Sequence, residues 1–164
     1  MNFLSREIVF AAGIIAAPAF VAGSEAPNVR VDERIPILRN LFASYKSPLK
    51  DYAAEFLNAS DKHGLDWRLL PSLTILETGG RHYNGNNLFG WGNGVSRFPS
   101  VASAIEVVAK YLSTGAPYRG KSFEAKMRTY NPRQSDYAIQ VKRMMARIAP
   151  DPRPVAKAPS ASVH

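Results

Sequence analysis

Residues 76–94 read LETGGRHYNGNNLFGWGNG, and this stretch decides how the rest of the chain is read. Its second residue is an acid, Glu77, and it holds no other carboxylate. The residues before it, DWRLLPSLTI (66–75), are apolar enough for a buried helix. Asp66 or Trp67 caps that helix, Pro71 falls near the end of its first turn, and Gly79 and Gly80 stop it. Glu77 therefore belongs to the last turn of a buried helix, just before a loop of glycines, asparagines and aromatics.

A carboxylate in that place meets two effects of the same sign. Partial burial disfavours its charged form. The negative end of the helix dipole disfavours it too, where stability alone would prefer Lys or Arg. A raised pKa is what a general acid needs near neutral pH. The loop beyond it suits a sugar: amides bond hydroxyl and acetamido groups, and ring faces cover the apolar faces of pyranoses. The plainer reading is a solvated glutamate, a Gly-Gly stop, and turns at Asn84-Gly85 and Asn93-Gly94, with Phe89 and Trp91 in the core.

Outward from this stretch, helical signals dominate. SPLKDYAAEFLNASDKHG (47–64) has Ser47 as N-cap, Pro48 at the first helical position and Gly64 as the stop. SVASAIEVVAKYLS (100–113) carries a capping box from Ser103 to Glu106, or an earlier cap at Ser100. SFEAKMRTY (122–130) reads as a shorter helix. QSDYAIQVKRMMARIA (134–149) closes the domain, with Tyr137, Val141, Met144, Met145 and Ile148 on one face. Strand signals are poor, and only residues 82–98 offer a small irregular β lobe. The expected class is mostly α, with one long polar loop between two helices.

The ends differ in kind from the middle. An apolar run, IVFAAGIIAAPAFVA (8–22), follows Arg6 and precedes small residues, the layout of a secretory signal peptide over residues 1–23. It is short for a membrane span, although Glu7 keeps an uncleaved N-terminal anchor open. Residues 24–32 read as a flexible lead-in, residues 33–149 as the domain, and residues 150–164 as a disordered tail rich in Pro, Ala and Ser. The chain of 164 residues has no cysteine and a formal net charge of +8. Removing the leader keeps that charge, because Arg6 and Glu7 cancel. A basic exported protein favours an anionic partner, and export favours cell-envelope polymers over nucleic acid. The basic residues are scattered and form no nucleic-acid recognition motif.

Four segments together carry a resemblance: HGLDWRLLPSLTILETGG, NNLFGWGNG, FPSVASAIEVVAKYL and YNP. In this order they resemble the glucosaminidase branch of the lysozyme-like superfamily. That branch includes bacterial autolysin-type and flagellar endo-β-N-acetylglucosaminidases and is related to lytic transglycosylases. The resemblance covers residues 63–148 and is most specific at Asn86-Asn87-Leu88-Phe89-Gly90. It implies a small lysozyme-like helical domain with a short irregular β lobe or loop after the catalytic helix. It also implies Glu77 as catalytic acid, Asn87 and Phe89 on the loop facing the cleft, and Tyr130 lining the cleft. Trp91 joins them as a candidate sugar platform.

The expected activity is hydrolysis of the β-1,4 bonds between N-acetylglucosamine and N-acetylmuramic acid in peptidoglycan. No Asp or Glu lies between Glu77 and Glu106, and Glu106 falls in a helix where a cap would use it. The loop therefore offers no second carboxylate, and the substrate's own 2-acetamido group is the favoured nucleophile. Hydrolysis and anhydro-sugar formation both stay open, as does a non-catalytic glycan-binding module on the same fold. His63 and His82 lie in different elements, away from ligand spacing, so no metal and no cofactor is expected. The expected partners are peptidoglycan strands and anionic envelope polymers, with the protein a monomer exported to the periplasm, cell wall or medium.

Overall fold

The computed structural model describes residues 32–149. The expected leader, the lead-in up to residue 31 and the tail from residue 150 lie outside them. Six α-helices carry the described chain: α1 (Arg34–Ser44), α2 (Ala53–Lys62), α3 (Leu69–Thr78), α4 (Val101–Thr114), α5 (Phe123–Tyr130) and α6 (Tyr137–Ile148). A 3-10 helix, Pro48–Tyr52, leads into α2. None of these is long and apolar enough to cross a membrane.

Helix α3 is the axis of the fold. All of its residues are buried except Leu76 and Glu77. A mostly apolar helix buried on nearly every side belongs inside a core, and α1, α2, α4 and α6 supply the other core side chains. Leu38 and Phe42 of α1, Phe56 of α2, Leu70 and Leu73 of α3, Ile105, Val108 and Leu112 of α4 and Val141 of α6 are fully or almost fully buried. The rings of Phe42 and Phe56 meet at 5.1 Å between centroids. Truncating either to alanine would cost about 3–5 kcal/mol at a site with this little room to collapse.

Helix starts and stops follow local chemistry. The cap position of α3 is Arg68, without a side-chain capping bond, and not the expected Asp66 or Trp67; Asp66 accepts the Arg68 backbone N–H at 2.9 Å in the turn just before the helix. Gly79 takes φ 60° as the left-handed residue that ends it, with its N–H bonded to the Ile75 carbonyl. Ser47 caps the segment after α1, accepting from Leu49 N. That segment begins as a 3-10 turn at Pro48 and becomes α-helical only at Ala53, where a single helix is expected from the sequence. Ser100 caps α4, accepting from Ser103 N. Glu106 takes no part in a capping box. It pairs with Lys62 at 2.6 Å and His63 at 3.0 Å instead, pinning the end of α2 to α4.

Residues 82–98 form no β lobe, and no strand occurs among the described residues. Gly85, Asn86, Gly90, Gly92, Asn93 and Gly94 all have φ between 55° and 81°. Left-handed residues this close together leave no extended run long enough for a ladder. The loop is a chain of turns closed on itself. Phe98 N donates to Gly85 O at 2.9 Å, and Asn86 Nδ2 donates to Phe98 O at 2.9 Å.

Candidate active site

The end of α3, the loop and the α5–α6 region enclose a cleft of about 690 Å³. Its floor is Glu77. One wall is Phe89 to Gly94, and the other comprises Tyr130, Asn131, Pro132 and Arg133, with Tyr118 beside them. The volume matches a site for a small ligand or a few sugar rings.

Three hydrogen bonds position the floor against the walls. Thr78 Oγ1 reaches the Leu88 carbonyl at 3.1 Å, tying the end of α3 to the loop. Tyr130 Oη donates to the Phe89 carbonyl at 2.6 Å, tying the loop to α5. Tyr137 Oη donates to Glu77 Oε1, tying the acid to α6. Oε2 has no hydrogen-bond partner among the described residues and lies on the side of Gly90. A Cβ built at Gly90 would stand 3.0 Å from it, so this glycine leaves the oxygen accessible.

Burial raises the proton affinity of Glu77, and the Tyr137 hydroxyl opposes it more weakly. The carboxyl therefore ionises above the ordinary glutamate value. Burial also pushes the Tyr130 and Tyr137 hydroxyls up, with the neighbouring Glu77 charge adding to both. Both phenols stay protonated and act as donors.

An aromatic wall stands behind the acid. Tyr130 and Tyr137 stack with centroids 5.8 Å apart and planes 5° from parallel. Trp91 meets Tyr130 edge-on at 5.7 Å and Tyr111 edge-on at 5.4 Å. Aromatic pairs in these geometries add about 0.5–1.5 kcal/mol beyond their buried area.

Of the residues singled out from the sequence, Glu77, Phe89, Trp91 and Tyr130 line this one cleft. Phe89 is 1% exposed, so its ring anchors the loop, while its carbonyl holds Tyr130. Asn87 does not face the cleft. It is buried, with Nδ2 donating to the Trp91 carbonyl at 2.9 Å and Oδ1 accepting from Trp91 N at 2.8 Å. Both ends of its amide are spent on the backbone of Trp91, whose carbonyl also accepts from Ser96 N at 3.3 Å. The amides that do line the cleft are Asn93 and Asn131.

Tyr137, Tyr118 and Arg133 have no place in the sequence-derived site. Tyr137 carries the core-facing periodicity of α6, which reports ring burial and is silent about the hydroxyl.

Glu77 is the one acid lining the cleft. Among the described residues no group of three or more His, Cys, Asp or Glu side chains stands close enough together to hold a metal ion. His63 contacts Glu106, and His82 accepts from Arg81 Nε at 3.0 Å. Compared with family models, curated proteins and solved structures, the chain matches none.

Proposed function

We propose that this chain is a peptidoglycan glycosidase of lysozyme-like build. Its substrate would be the β-1,4 bond between N-acetylglucosamine and N-acetylmuramic acid. The observation that carries the reading is Glu77: a half-buried acid of raised pKa, alone on the floor of an aromatic cleft, with one oxygen held by Tyr137.

The chemistry follows from that arrangement. Protonated Glu77 presents Oε2 to the glycosidic oxygen and gives it the proton as the C1–O bond breaks. With no second carboxylate in the cleft lining, the carbonyl oxygen of the substrate's 2-acetamido group attacks C1 and forms a cyclic oxazolinium. Glu77, now ionised, takes the proton of the incoming oxygen as it opens that ring. A water there yields hydrolysis, and the sugar's own 6-hydroxyl yields an anhydro product, as in a lytic transglycosylase. Asn93 or Asn131, both in the cleft lining, would orient the acetamido group. Trp91 offers its ring to a pyranose face.

The test is mass spectrometry of purified peptidoglycan after digestion. New reducing N-acetylglucosamine ends, reducing N-acetylmuramic acid ends or anhydro-muramic ends identify the bond and the acceptor. Strands that are bound but uncut would instead favour a glycan-binding module, the reading that the single carboxylate also supports.

A further inference from the structure

The cleft lining holds two charged residues, Glu77 and Arg133. Arg133 follows Asn131 and Pro132 in the turn from α5 to α6. That turn is fixed in place: Gln134 N donates to Asn131 O at 3.4 Å, and Tyr137 N donates to Gln134 O at 3.2 Å. The Arg133 side chain is exposed and makes no hydrogen bond or ion pair among the described residues. Glu77 is not its partner, and the contact that the acid makes is with the Tyr137 hydroxyl. Every other lining residue is neutral. The cleft thus offers a free guanidinium, and a neutral glycan would leave it unused.

We propose that Arg133 is a specificity residue that binds a carboxylate carried by the glycan, so that the cleft takes acidic N-acetylated strands ahead of neutral ones. The inference rests on the glycosidase reading and names which glycans it favours. A guanidinium presents two parallel N–H donors that match a carboxylate, a geometry that an ammonium lacks. In peptidoglycan that carboxylate has two sources. On strands stripped of peptide it is the free lactyl group of muramic acid. On intact strands it belongs to the stem peptide.

The experiment uses the full chain and three soluble probes: stripped strands, stem-bearing strands, and neutral N-acetylglucosamine oligomers. Binding by calorimetry and cleavage by product release are measured for the wild type, Arg133→Ala, Arg133→Lys and Arg143→Ala. The last removes an equal charge from an exposed position on α6 outside the cleft lining.

Arg133→Ala should weaken binding to at least one acidic probe about three- to tenfold, as expected for a solvent-accessible charge-assisted pair. It should leave the neutral oligomer unchanged. Arg133→Lys should recover part of the loss, and Arg143→Ala should lose nothing comparable. Which acidic probe responds identifies the lactyl group or the stem. Equal losses on acidic and neutral probes, no loss on either acidic probe, or an equal loss in Arg143→Ala would overturn the assignment. Wild-type binding that discriminates in this way without any cleavage would sink the glycosidase reading and leave Arg133 as the carboxylate site. Absence of binding to all three probes would remove both.

Discussion

Tyr137 Oη donates to Oε1 of Glu77 across sixty residues of sequence. The bond joins the first residue of α6 to the last turn of α3, so the helix that closes the domain also orients its single cleft acid. Two opposing influences meet there. Burial raises the proton affinity of Glu77, and the phenol lowers it.

Tyr137→Phe separates these influences. The ring stays stacked on Tyr130 while the donor is lost, so melting should fall by only about 1 kcal/mol. Without the donor the charged carboxylate loses support, and its pKa should rise further. Activity that needs protonated Glu77 should then extend to higher pH. Its maximum should drop roughly tenfold, the size of one charge-assisted bond. A pH–rate profile checks this, and an unmoved alkaline limb would show that the phenol does not govern the acid.

Glu77→Gln should lower strand cleavage by about 10²–10⁴ while the protein stays folded. Its stability should depend on pH in a definite sense. The folded pKa lies above the ordinary 4.5. Between the two values the unfolded chain gives up the proton first, so wild-type stability falls as pH rises through that window. Below 4.5 both states keep the proton and no penalty exists. The glutamine variant should therefore melt like the wild type in acid and higher than it near neutrality. Parallel melting curves at all pH values would contradict the raised pKa.

Gly90→Ala should cost more activity than its backbone strain explains. At φ 62° an alanine pays about 1–2 kcal/mol, and its methyl would crowd Glu77 Oε2. Gly64→Ala is the matched control, with φ 62° and open space around the new methyl. Both variants should lose similar stability, and only Gly90→Ala should lose cleavage. Comparable cleavage by the two would mean that the space beside Oε2 has no catalytic value.

Asn87→Ala should act through the loop. It leaves the Trp91 N–H without its partner and the Trp91 carbonyl with the Ser96 N–H alone, for about 1–3 kcal/mol of stability. Hydrogen exchange should accelerate at the Trp91 amide ahead of the amides of α3. Full retention of melting temperature with slowed turnover would instead restore the acetamido role expected from the sequence.

The parts of this arrangement that the sequence discloses are those written in apolar periodicity and in stop residues. Helix α3 is a mostly apolar run, interrupted by Ser72 and Thr74 and ended by Gly79 and Gly80, so the place of Glu77 follows from it. Helix α1 is nearly invisible, because only Leu38 and Phe42 are buried in it and Pro36 lies near its start. Asn87 misleads because an amide in a glycine-rich loop looks the same whether it serves a ligand or the turn itself. Positive φ at its neighbours decides between these, and φ cannot be read from composition. Arg133 gives no signal at all: nothing in YNPRQ says that its turn comes to stand across from residues 90–94.

The closure of residues 85–98 on themselves separates architecture from tuning. The ends of the loop are bonded to each other, and Phe89 and Trp91 hold its middle against Tyr130, so the stretch around Val95 can vary without moving the helices that follow. Val95, 74% exposed at that tip, is a place where residues can be added or removed at little cost. A longer tip would deepen the groove and demand more sugar units for a firm grip, and a shorter one would open it to branched or cross-linked strands. Chain-length preference would thus change by local editing, with Glu77 and its phenol untouched.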